Sequence, residues 1–342
     1  MRKIFQYIML AVVTIVMASC TSDIEETTAT TGKNNVQLVV GEFPTFGDSQ
    51  TRAIRTPDEG KTSWAEGDEL LLEMTSKTLG TKYAAFTYNG SSWELTSGEL
   101  SYKEDEVPTF PHVYYAPNYK WEAGKLVLKE GKDPGTDEYI EGNARITGNG
   151  INVSFAEATR KYSRLRIATL PNEQITVDTE YFTPAGSSDM EQKGNYTLTS
   201  DEKGNAYLYG TFENNSEVTV KYREAALTTY TFSQATENAK SYALDATVIS
   251  ANSAEEIKSA IEQKVADGKT TIRLNLAPNA GTDEFMAIRE AIKGAAPNDL
   301  GTIELTVIGV ETIPEEAFYN MLQLKSVKMS DVKEIKKYAF KE

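Results

Sequence analysis

From Val36 to about Val248, apolar residues recur at every second position in short runs, and clusters of Gly, Asn, Asp and Thr separate the runs. A period of two places alternate side chains on opposite faces of a pleated backbone, so most of this chain is restricted to strands. Val36, Leu38 and Val40 share one face of the first run, with Gln37 and Val39 on the other. Residues 69–74 (ELLLEM) form another run. Residues 82–95 read as a hairpin, KYAAFTY and SSWEL joined through Asn89-Gly90. Asn-Gly suits a two-residue type I′ turn, where both positions need positive φ. That register sets Phe86 opposite Trp93, with Tyr88 and Leu95 on the same side. Further strands are expected at 113–115, 125–128 and 151–155, with turns at 131–138 and 147–150. A second all-β stretch alternates through Leu165, Ile167 and Thr169, then Ile175 and Val177, then Tyr196 and Leu198. Tyr207, Tyr209, Val218, Val220 and Tyr222 continue it, with a turn at 201–205. Short strands at this spacing predict antiparallel sandwiches.

At Ser253 the period changes. Ser253 with Glu256 makes a capping box ahead of Ile257, Ile261 and Val265, and Gly268 is the expected stop. Ile272, Leu274 and Leu276 alternate, Thr282 is placed to cap a helix through Phe285, Ile288 and Ile292, and Ile303, Leu305 and Val307 alternate again. The chain then repeats at an offset of 22 residues: Leu305/Val327, Val307/Met329, Val310/Val332, Ile313/Ile335, Ala317/Ala339 and Phe318/Phe340. Strand-plus-turn units of this length bury their apolar edges only against their neighbours.

The rest of the composition removes functions. The chain carries a net charge of −15, which becomes −17 when the two cations Arg2 and Lys3 leave with residues 1–19. A field of that sign argues against nucleic acid as a partner. One cysteine and one histidine in 342 residues leave no internal disulfide, no cysteine-rich metal site and few zinc constellations. His112 has no G-x-S-x-G partner, and Glu104, Asp105 and Glu106 read as a solvated turn. Asp133, Asp137 and Glu138 lack the calcium-loop order, and the Gly148/Gly150 region is not a phosphate loop. No cofactor, no metal and no enzyme activity are expected. Trp64, Trp93, Trp121 and Tyr114-Tyr115 are either sugar-stacking platforms or core, and strand aromatics are more often core.

The N-terminus supplies an address. Arg2-Lys3, an apolar run from Ile4 to Met17 and small residues Ala18-Ser19 form an export signal that ends at Cys20. This resembles the lipobox of bacterial lipoproteins, with Met17 in place of the usual Leu. The resemblance implies that Cys20 becomes an acylated N-terminus whose partner is outer-membrane lipid. Residues 20–35 are a polar tether, and Asp23, Glu25 and Glu26 are similar to the acidic signal that sends lipoproteins of Bacteroides-type bacteria to the cell surface.

Thr51-Arg52-Ala53, the 64–69 run WAEGDE, Tyr83, Trp93 and Tyr114-Tyr115-Ala116-Pro117 together resemble the fimbrillin-like (Mfa-type) lipoproteins of gut and oral anaerobes. The resemblance implies tandem transthyretin-like β-sandwiches at 36–160 and 161–249. It also implies proteolytic processing after Arg52, with Arg55 as a nearby alternative. Loss of the N-terminal strand would open a groove that another fimbrial subunit fills by strand addition. The phrases IPEEAF and IKKYAF, with LKSVKM between them, resemble the surface-antigen (BspA-like) leucine-rich repeat, which implies a small α/β repeat segment at 250–342. The expectation is mainly β architecture with that segment appended, on a surface lipoprotein that acts as an adhesion module toward a protein or glycan ligand. A glycan-binding lipoprotein and an accessory or tip fimbrial subunit are the alternatives.

Overall fold

A computed structural model describes residues 37–48, 60–103, 106–147, 150–155, 160–251 and 253–341. The strands of its first part are β1 (Gln37–Val40), β2 (Gly47–Asp48), β3 (Glu69–Ser76), β4 (Gly80–Tyr88), β5 (Trp93–Gly98), β6 (Thr109–Tyr115), β7 (Tyr119–Glu122), β8 (Lys125–Leu128), β9 (Ile140–Thr147) and β10 (Gly150–Ser154). All except β2, β7 and β8 form one seven-stranded sheet in the order β1-β10-β9-β6-β3-β4-β5. Its pairings are antiparallel except at the β1 edge, where Leu38 runs parallel beside Ile151. The main core lies on one face, under Leu70, Leu72, Met74, Phe86, Val113 and Ile151. On the other face Leu71, Ala85, Tyr114 and Tyr119 pack with Trp121, which belongs to the β7–β8 ribbon. Two covered faces explain why ELLLEM is apolar at consecutive positions rather than alternating.

The hairpin departs from expectation in register. Tyr88 pairs with Trp93 and Phe86 with Leu95, beyond a bulge at Ala85/Phe86. Gly90 has positive φ but Asn89 does not, so the type I′ turn does not form. Instead the Asn89 side-chain oxygen accepts from the Ser91 and Ser92 amides, and the Asn89 amide donates to the Ser92 carbonyl, which makes a longer loop. The slip is two residues, so the four side chains keep the face expected of them.

The second part comprises β11 (Ser163–Ala168), β12 (Gln174–Pro184), β13 (Glu191–Thr199), β14 (Asn205–Phe212), β15 (Glu217–Tyr222), β16 (Ala225–Thr231) and β17 (Lys240–Asp245). Its sheet runs β16-β15-β12-β14-β11-β17-β2, with β13 paired to β12. Leu165, Ile167, Val177, Phe182, Leu208, Phe212, Val218 and Val220 lie in its core. The alternation expected of Tyr207 and Tyr209 is real, but these two face away from that core. Ala206 and Leu208 supply the core face, while Tyr207 and Tyr209 sit with Phe46 and Tyr162. Both the first and the second part are therefore mainly β.

The last part begins with β18 (Ile249–Ser250), then α1 (Ala254–Ala266), β19 (Thr271–Asn275), α2 (Thr282–Ala295), β20 (Ile303–Ile308), β21 (Thr312–Ile313), β22 (Leu324–Met329) and β23 (Glu334–Ile335). The Ser253 hydroxyl accepts from the Glu256 amide as expected, and Gly268 ends the helix at φ 73°. The second cap falls one residue early. Gly281 is the N-cap, and the Glu284 carboxylate takes its amide at 2.8 Å. A four-stranded parallel sheet, β18-β19-β20-β22, carries both helices against the face formed by Ile272, Leu274, Leu305 and Val307. The two 22-residue units lie one on the other in register: Leu305 beside Val327, Val307 beside Met329, Ile313 beside Ile335. Phe318 and Phe340 stack at 4.9 Å between centroids.

Candidate functional site

Segment 37–48 pairs with a strand of each β part. Its first strand pairs with β10, and Gly41 donates to the Val153 carbonyl at 2.9 Å. Its last two residues pair parallel with β17 of the second sheet. Three apolar side chains anchor the segment. Leu38 and Phe43 are buried in the first core, and Phe46 packs at the junction of the two parts. Each fully buried side chain of this size contributes about 1.5–3 kcal/mol. The segment is a strap laid in a groove.

The groove for Phe43 is built from the residues that carry the fimbrillin-like resemblance. Trp64 meets Phe43 edge-on at 4.9 Å, and Tyr115 does so at 5.6 Å. Trp64 also packs on Trp93, Tyr115 and Phe155, and its indole N–H donates to the Gly41 carbonyl of the strap at 2.8 Å. The WAEGD run is a turn in which Gly67 takes positive φ and the Asp68 carboxylate accepts the Ala65 amide at 2.7 Å. The other Asp68 oxygen accepts the Tyr115 hydroxyl at 3.0 Å and is paired with Lys61. Burial, and then the Asp68 charge, hold the Tyr115 phenol far above its ordinary range. One tryptophan, one aspartate and one tyrosine thus fix the wall against which the strap lies.

The Phe46 groove is ionic. The Arg160 guanidinium makes a two-pronged contact with Glu138, at 2.8 and 3.2 Å, and gives its remaining amino group to the Pro44 carbonyl of the strap at 2.8 Å. Both side chains are almost fully buried, at 0% and 3% exposure. Tyr162 donates to the same carboxylate at 2.6 Å and accepts the Tyr139 amide, so the buried charges are fully hydrogen-bonded. Burial pushes the Arg160 guanidinium down, but Glu138 outweighs it and holds the group above its usual value. Burial, then Glu138, raise the Tyr162 phenol. Phe46 is clamped between two guanidinium groups, Arg160 at 4.0 Å and Arg164 at 4.4 Å from its ring centroid. This is chemistry for holding a peptide segment, not for turning over a substrate.

The residues singled out in the sequence distribute as follows. Cys20, Arg52 and Arg55 lie outside the described residues, as do Glu104 and Asp105. Trp64 and Trp93 join the strap wall, and Trp121 packs on Tyr83 and Tyr114. His112 stands exposed on β6, with its ring nitrogen 3.0 Å from the Tyr114 hydroxyl. Glu138 is taken by Arg160, and Asp137 accepts the Glu138 amide, while Asp133 uses its carbonyl on Asn118 and Thr136. Glu106 accepts the Ser76 hydroxyl at 2.8 Å. The alternation gave no notice of Phe43, Phe46 or Arg160. The run Phe43-Pro44-Thr45-Phe46 has no period, and Arg160 earns its role only through partners 22 and 116 residues away.

No family model matches the chain, and no curated protein matches it. Among the solved structures that match, two are similar to this chain over nearly their whole length. One is GBS52, the minor pilin of Streptococcus agalactiae, at 10% identity over 62% of this chain and 94% of that one, with a TM-score of 0.21. The other is a double mutant of shaft pilin SpaA from Lactobacillus rhamnosus GG, at 10% identity over 62% of this chain and 96% of that one, with a TM-score of 0.24. Both scores are too low for either likeness to carry an argument about this chain.

Proposed function

We propose that this chain is a fimbrillin-like surface lipoprotein, an adhesion and interaction module whose strap can be exchanged for the strand of another fimbrial subunit. The single observation that carries this reading is the strap. Segment 37–48 is N-terminal to Arg52 and Arg55, spans two sheets, and fills grooves with Leu38, Phe43 and Phe46. Cutting after either arginine would separate it covalently from everything it covers. The vacated groove would keep a parallel sheet edge on β10, an aromatic slot at Trp64/Tyr115 and a cation pair at Arg160/Arg164. Those features suit an incoming extended segment with spaced aromatic residues.

In this reading residues 1–19 are removed, acylated Cys20 holds residues 20–35 as a tether in the outer membrane, and 36–160 and 161–249 are transthyretin-like sandwiches. Residues 250–342 then form a leucine-rich-repeat segment that offers a binding surface to a protein or glycan. The in-register stacking of Leu305 on Val327 and Phe318 on Phe340 supports the repeat reading. The test is intact mass and N-terminal mapping of membrane-extracted protein. A diacylated or triacylated Cys20, together with a shorter form beginning at Ala53 or Thr56, is the expected result. A chain that keeps residues 1–19, or carries no acyl group at Cys20, would overturn the anchor. Absence of the shorter form would overturn assembly by strand exchange.

A further inference from the structure

The strands of the last sheet are two-sided in a way their order does not require. Parallel sheets ordinarily bury both faces and read as continuous apolar runs. Here β19, β20 and β22 alternate: Ile272, Leu274, Leu305, Val307, Val327 and Met329 meet the helical layer, while the opposite face is polar up to Ile308, which packs into the core of the second part. Register arranges the polar residues in two rows across the sheet, Thr271–Glu304–Ser326 and Arg273–Thr306–Lys328. Neighbouring positions in a row are separated by about 4.8 Å, the strand spacing. The polar face looks onto the edge strand β16, and together they enclose a cavity of about 220 Å³ that includes Thr228 and the two rows.

Arg273 is the decisive group. It is 7% exposed, and its Nε donates to the Leu227 carbonyl of β16 at 2.5 Å. Among the described residues that is its one hydrogen bond, so its two terminal amino groups are left to the cavity. Asp245 and Glu304 act on it through space only, and burial outweighs them, drawing the guanidinium below its usual value. A buried guanidinium without a bidentate partner is costly unless an anion completes it. Glu304 is held on its other side by Lys325 at 2.7 Å, which leaves an oriented acceptor among hydroxyl groups.

We propose that this groove binds a carboxylated sugar residue of the hexuronic-acid type. The carboxylate lies against Arg273, with Lys328 two strands away adding to the positive field. The ring hydroxyls exchange hydrogen bonds with Thr228, Thr271 and Thr306 and donate to Glu304. The volume is below the roughly 300 Å³ at which drug-sized sites begin, so the groove takes one ring rather than an oligosaccharide chain. The site is remote from the strap and stands whether or not the strap is exchanged.

The experiment is calorimetric titration of the whole chain with glucuronate, glucose and inorganic phosphate in separate runs. Glucuronate is expected to bind, with glucose and phosphate each at least about tenfold weaker, which is the loss of one charge-assisted contact or of the hydroxyl set. Arg273→Gln should lower glucuronate affinity about tenfold or more. Thr306→Val and the exposed Lys328→Gln should each weaken it severalfold, and they keep the test decisive should Arg273→Gln fail to fold. Equal binding of phosphate, with the same dependence on Arg273 or Lys328, would mean a bare anion site and overturn the sugar. Equal binding of glucose, or no binding of glucuronate at millimolar concentration, would overturn the site itself.

Discussion

The strap junction and the C-terminal stack are held together by opposite strategies. At the junction, one buried ion pair, one phenol and the Phe46 ring join residues spread over the first 210 positions: Pro44 with Arg160, Glu138 with Arg160 and Tyr162, Phe46 with Tyr209. In the stack, the contacts between the two repeat units recur at offsets of 21–22 residues and are mostly apolar, with Lys325–Glu304 and Lys333–Glu311 along the rim. The first arrangement concentrates stability in a few irreplaceable groups. The second spreads it over equivalent ones. A few concentrated contacts suit cooperative opening of a segment, and distributed ones suit a region in which no single contact dominates.

The sharpest way to break the contrast is Glu138→Gln. It leaves the Arg160 guanidinium buried without its counter-charge, and the expected cost is about 3–5 kcal/mol, read by chemical denaturation. The loss should appear in both β parts and in the strap together. Leu305→Ala is the matching change in the stack, with about 2–5 kcal/mol expected for a buried large-to-small substitution. Hydrogen exchange should show faster exchange confined to β19, β20 and β22, with Gly41 and the strap protected as before. Loss of strap protection in that variant would mean that the two regions unfold as one.

A milder change sharpens the electrostatic half. Desolvation raises the Asp137 carboxyl above its ordinary range, against the Glu138 amide that donates to it and with the Glu138 charge adding to the rise. A carboxyl raised on folding costs nothing while protonated in both states, and its penalty grows as pH rises from the ordinary carboxylate range through the raised value. Asp137→Asn should therefore stabilise the chain modestly at neutral pH, and the gain should fade as pH falls through the raised value and be gone by about 4. Thermal melts of both chains across that range check it. At the small end, Ser253→Ala should cost about 1 kcal/mol through its cap on α1, and Lys333→Ala at most a few tenths, as an exposed pair. Near-equal effects for Lys333→Ala and Glu138→Gln would erase the distinction between the regions.

The same contrast explains what could be read in advance. The stack was legible because its contacts are local and periodic: Leu305/Val327 and Phe318/Phe340 announce one another at a constant offset, and the structure pairs them. Leu38 and Val40 were legible as one face of an edge strand for the same reason. Asn89-Gly90 misled because the side chain of Asn89 makes its own turn, and that local bond outweighs the usual preference for φ > 0 at both positions. Tyr207 and Tyr209 showed the right period but not the right face, since only the partner Phe46 decides which side is covered. Trp64, Asp68 and Tyr115 could be picked out as a motif, yet their joint task emerges only once Phe43 is seen among them. Nothing local marks Arg160 or Arg273. A buried charge is recognised by its surroundings, and these come from other strands.

Whether segment 37–48 is a separable strap can be measured directly. The measurement is the oligomeric state, by light scattering, of a chain beginning at Ala53, with and without a synthetic peptide spanning residues 37–48. The account predicts that the shortened chain self-associates, and that the peptide binds it, restores a monomer and raises its melting temperature. A peptide with Phe43 and Phe46 changed to alanine should do neither. A shortened chain that remains monomeric, melts with the full-length protein and ignores the peptide would contradict the account.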